Sequence, residues 1–144
     1  MSEQDTVKLL KECDAGIKMG IDSINEVLDY VSDDRLKQSL SKSRAEHEKL
    51  QGELHQLLEN RGDVGKDPSM MAKSMSHLKT NVKLVLNESD HTIADLITDG
   101  CNMGVKSLHR YMNQYKMADS TARDIAEKLS GVEEDLAYDV RPFL

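Results

Sequence analysis

Apolar residues recur along this chain with the period of a helix, in long segments separated by short polar breaks. In the first segment Leu10, Ile17, Ile24 and Val31 fall every seven residues, with Cys13, Gly20 and Val27 between them. That spacing puts one apolar stripe on one helix face and predicts a helix over about 5–31. A second stripe runs Leu36, Leu40, Ser43, His47, Leu50, Leu54, Leu57 and predicts a helix over about 34–60. Its middle is polar, which a purely structural stripe would not need. Ile93, Ile97, Cys101, Val105, Leu108, Met112 and Tyr115 predict a helix over about 89–116. Ala122, Ile125, Leu129, Val132, Leu136 and Val140 predict another over about 120–141, ended by Pro142. A short oxygen side chain can bind the free amides of a helix start, so Ser32 or Asp33 is the expected cap of the second helix and Asp119 of the last. Gly62 is the expected left-handed stop.

A fifth apolar stripe, Met71, Met75, Leu78, Val82 and Val85, follows Asp67-Pro68 and predicts a helix over about 67–86. Lys73, Lys79 and Lys83 lie largely off that face. The four other helices already supply the faces that close a bundle core. This one must cover an end, lean on a groove or meet another chain, and a homodimer contact is the expected partner surface.

The segments are not independent. Cys13-Asp14-Ala15-Gly16-Ile17-Lys18 recurs as Cys101-Asn102-Met103-Gly104-Val105-Lys106, an offset of 88 residues. Shifting the second helix by 86 residues lays Lys42 on Lys128, His47 on Glu133, Glu48 on Glu134, Leu50 on Leu136 and Leu54 on Val140. A repeat of this kind predicts a duplicated helix hairpin. Two hairpins joined by a long connection make an all-α, up-down four-helix bundle with a crossover helix. The chain thus reads as one domain over 1–144, with hairpins at 5–60 and 89–141 and the crossover at 67–86. Gly16 and Gly104 match across the repeat inside helices, where each costs about 1 kcal/mol relative to Ala. A repeated cost implies a shared reason: close approach of a neighbouring helix, or room for something inside the bundle.

Composition narrows the function. The net charge of -7 is spread along helix faces, which argues against a nucleic-acid partner, since phosphate binding needs clustered Lys and Arg. Eight Met and no Trp leave aliphatic residues to fill the core and offer no aromatic platform for bases. No run approaches the ~20 apolar residues needed to cross a bilayer, and no leader precedes the first helix, so a cytoplasmic protein with no membrane partner is expected. Cys13 and Cys101 read as buried free thiols rather than a disulfide. No phosphate loop or dinucleotide fingerprint occurs, and no acid orients a Cys–His pair.

Three short motifs carry a resemblance. They are Asp14-Ala15-Gly16, Arg44-Ala45-Glu46-His47 and Asn102-Met103-Gly104. With the duplicated hairpin, they make residues 5–142 resemble the ferritin-like superfamily, and more narrowly its bacterial four-helix proteins of unknown function. The resemblance implies a bundle whose middle once held two metal ions. Ferritin-like di-iron sites take a Glu from each of two helices and Glu-x-x-His from the other two. The matching positions here are Asp14 with Glu48-x-x-Gln51, and Asn102 with Glu134-x-x-Ala137. Gln51, Asn102 and Ala137 break that set, since a neutral amide is a poor substitute for a carboxylate or imidazole there and Ala offers no donor, and Asp14 is shorter than Glu.

Some polar residues remain near the apolar seams: Asp14, His47, Glu48, Glu133 and Glu134, with Lys18 and Lys106 one turn from the repeat motifs. Two readings lead, ahead of a catalytic role. One is a buried network in which His47 pairs with Asp14 and a lysine with Glu133 or Glu134, a device that can fix register. The other is a single divalent metal held by Asp14, His47 and Glu48 with Glu133 or Cys13. His55, beside Leu54, is a weaker candidate near its helix end. No catalytic residue and no organic cofactor are expected. The leading expectation is a non-enzymatic binding or structural bundle, and the alternative is a protein binding iron, manganese or zinc at a reduced site.

Overall fold

The computed structural model describes residues 2–62 and 89–144. Four helices account for most of them: α1 (Glu3–Leu28), α2 (Asp34–Glu59), α3 (Asp90–Gln114) and α4 (Ser120–Asp139). A 3-10 turn over Arg141–Phe143 follows α4, and there is no strand among the described residues. The predicted crossover helix over 67–86 lies outside them, and so does its Met71–Val85 stripe.

Local chemistry sets each boundary. Ser2, Asp33, Ser89 and Asp119 cap the four helices, each side chain accepting an amide of the first turn. Asp33 is thus the cap and Ser32 is not. Gly62 adopts φ +67°, the left-handed conformation expected of a residue that stops a helix.

Contacts at the two ends fix the chain directions. At one end the Asp90 carboxylate accepts the amides of Ser32 (2.8 Å) and Asp33 (2.9 Å), tying the start of α3 to the α1–α2 turn. At the other end Ser2 donates to the Met117 carbonyl, Met117 to Asp5 and Asp119 to the Thr6 hydroxyl. Helices α1 and α3 are therefore antiparallel. Helix α2 runs against α1 and parallel to α3, and α4 returns alongside α1. Arg61, just past α2, bridges Glu3 (2.9 Å) and Asp119 (3.1 Å). Residue 62 thus stands at one end of the bundle and residue 89 at the other.

Each helix packs on two flanking neighbours, and α1 also meets α4 across the short diagonal. The core divides in two. One apolar cluster holds Leu9, Cys13, Ile17, Leu50, Leu54, Leu108, Met112 and Leu129. The other holds Ile24, Val27, Leu36, Leu40, Ile93, Ile97, Cys101 and Leu136. Between them each helix contributes a glycine or a buried polar residue in place of an apolar one: Gly20 from α1, Ser43 and His47 from α2, Gly104 from α3, Glu133 from α4. The polar middle of the second stripe is the signature of this layer.

Candidate functional site: a buried imidazole–carboxylate pair

The layer is built on its backbone. Ser43 and His47 lie one turn apart on α2, and both side chains turn inward and are buried. His47 Nδ1 sits 2.7 Å from the Ser43 carbonyl oxygen. A carbonyl can only accept, so Nδ1 carries the hydrogen and donates it. In the neutral ring the lone pair is then on Nε2. Nε2 faces Glu133 Oε1 at 3.8 Å, with the two residues 1% and 8% exposed. That distance is longer than an N–H···O bond, whose usual range ends near about 3.2 Å. Both Nε2 and Glu133 Oε2 are buried with no hydrogen-bond partner.

The glycines make this geometry affordable to the backbone. A Cβ on Gly20 would stand 2.6 Å from His47 Nε2, and one on Gly104 would run into the Glu133 carboxylate. Of the two matched glycines only Gly104 is required by space: a Cβ on Gly16 would meet nothing closer than Leu129 Cδ2, at an ordinary 3.9 Å.

Burial pushes the Glu133 carboxyl above its usual range, because a low-dielectric surrounding disfavours the charged form; the His47 imidazole pulls it partly back. Burial likewise pushes the thiols of Cys13 and Cys101 up to about 12, helped by Glu12 and Asp14 at the first and by Glu133 at the second. Both are free cysteines in the protonated form at neutral pH, so neither is set up as a nucleophile.

A second polar unit lies in the hairpin of α1 and α2. The Asp14 carboxylate is fully buried, accepting from His55 Nε2 at 2.8 Å and from Lys18 Nζ at 2.9 Å. This corrects the expected pairing: His47 meets Glu133, and Asp14 meets His55 and Lys18. In hairpin register the α-carbons place Asp14 level with Gln51, one turn short of His55. Helical side chains lean toward their own N-terminus. In an antiparallel pair Asp14 and His55 therefore lean toward each other and close that gap.

Of the five candidate ligands, then, only His47 and Glu133 come together. Asp14 is committed elsewhere, and Glu48 and Glu134 are exposed, as is Asn102. Among the described residues no group of three or more His, Cys, Asp or Glu side chains converges as a metal site. Nor is any helix among them long and apolar enough to cross a membrane.

Comparison with protein-family models, with curated proteins and with solved structures finds no match.

Proposed function

We propose that this chain is a ferritin-like bundle, built by duplication of a helix hairpin, that has given up two-metal chemistry and acts in the cytoplasm as a binding or structural protein. Duplication is supported by how the repeat maps onto the core. Residues matched by the offsets exchange clusters: Cys13 and Leu50 lie in one, Cys101 and Leu136 in the other. Leu40 and its counterpart Ala126 exchange in the opposite sense. That exchange is what a pseudo-twofold axis across the bundle requires. His47 and Glu133, matched by the same offset, meet near its middle.

The observation that carries the functional reading is the dispersal of the expected ligands. A two-metal centre needs several carboxylates held together. Here one carboxylate is bound to an imidazole and an ammonium, two point to solvent, and one faces a single histidine. The residues do not fit a di-iron centre.

Aerobic addition of ferrous salt to the full chain, with ferric absorbance followed against a protein-free control, tests this. Equal rates are expected. An acceleration that Glu48→Ala and Glu134→Ala abolish would restore the two-metal reading.

A further inference from the structure

We propose that His47 Nε2 and the Glu133 carboxylate form a site for one transition-metal dication, of the zinc or cobalt class, in the middle of the bundle. Buried polar atoms are nearly always bonded, and each one that is not calls for an explanation such as an ion. Here two such atoms, His47 Nε2 and Glu133 Oε2, belong to the same pair. They come from different helices and face the same layer between the apolar clusters.

The spacing fits two ligands of one ion. Zn–N and Zn–O bonds of about 2.0–2.2 Å at a tetrahedral angle put the donor atoms about 3.4 Å apart. The observed 3.8 Å between Nε2 and Oε1 is close to that, and well beyond a direct hydrogen bond. The tautomer fits as well. A metal-binding histidine usually donates its other ring N–H to a carbonyl or carboxylate, which orients the ring and leaves the ligating lone pair free. The Ser43 carbonyl does this for His47. Bare backbone at Gly20 and Gly104 lets the ring and the carboxylate occupy the layer.

Donor type narrows the ion. Imidazole suits zinc, cobalt, nickel, copper and iron, whereas calcium and magnesium call for oxygen ligands. With two protein donors, water completes the coordination. The imidazole of His55 offers no such site, since its Nε2 is held by Asp14. This proposal does not depend on the loss of two-metal chemistry: one bound ion leaves iron oxidation as slow as before.

The test is a titration of the full chain, purified without a nickel resin and stripped with chelator, with cobalt(II), followed by visible absorption and calorimetry. One ion per chain with the bands of tetrahedral cobalt is expected. His47→Leu and Glu133→Gln should each weaken binding by at least about tenfold, the scale on which even outer-shell changes register. His55→Gln should leave it unchanged. Circular dichroism of each variant establishes that the fold is retained, and the near-isosteric Glu133→Gln keeps the test valid should His47→Leu unfold. Absence of stoichiometric binding, retention of binding in Glu133→Gln, or its loss in His55→Gln would each overturn the proposal.

Discussion

A Cβ on Gly104 would stand 2.6 Å from the carboxyl carbon of Glu133. The backbone of α3 and the side chain of α4 thus occupy adjoining space with no allowance for a methyl group. Gly104→Ala should lower stability despite the better helix propensity of Ala, because a buried carboxylate must move. Gly20→Ala should do the same through His47. Gly16→Ala has room for its methyl and should raise stability, by up to about 1 kcal/mol. Urea denaturation of the three variants checks the signs, and equal effects at 16 and 104 would contradict this packing.

Glu133 gives a pH dependence whose sign follows from burial. Its folded pKa lies above its unfolded one, so folding favours the protonated form. The cost of the carboxyl is absent below the unfolded pKa, about 4.3, and grows as the pH rises toward the folded value. Chelator-treated Glu133→Gln, which cannot ionise, should therefore be more stable than the parent at neutral pH. The difference should shrink toward zero near pH 4. A gap that widens on acidification would mean that His47 outweighs burial.

His55 and Asn102 separate the buried carboxylate unit from its repeat counterpart. Asp14 is fully buried, whereas the matching Asn102 is exposed. His55→Ala should cost about 1 kcal/mol, below the usual range for a hydrogen bond to a charged group because the imidazole is 42% exposed. Asn102→Ala should stay within about 0.5 kcal/mol. Chemical denaturation reads both.

The thiols supply a kinetic test. With both pushed up to about 12, Cys13 and Cys101 carry almost no thiolate at pH 8. A thiol-disulfide reagent should titrate neither in the native protein within minutes and both in denaturant. Prompt reaction of one thiol in the native state would place it outside the core.

Helix bounds were legible because they are local. Periodicity and caps placed every described helix start within two residues, and each end within three. His47 was also legible, since an imidazole between Leu40 and Leu54 on one stripe has to be buried. Its partner was not. Interhelical pairing depends on how far side chains lean along their helices, and a comparison of α-carbon levels ignores that lean. The same omission hid the Asp14–His55 pair, whose only sequence signal was a histidine one turn beyond the level of Asp14. Gly16 and Gly104 looked equivalent by position, but only the second has a neighbour that excludes a side chain.

Whether His47 and Glu133 act as one structural unit at the centre of the bundle is measured most directly by a double-mutant cycle in metal-free protein. His47→Leu takes from the buried Glu133 carboxyl the one neighbour that draws its pKa down and should cost about 1–2 kcal/mol, whereas Glu133→Leu removes that carboxyl together with its own cost and should change stability little. The double variant replaces the pair by apolar side chains and should be about as stable as the parent, giving a coupling of at least about 1 kcal/mol. Two single effects that simply add, to within about 0.5 kcal/mol, would contradict a coupled pair at the centre of this fold.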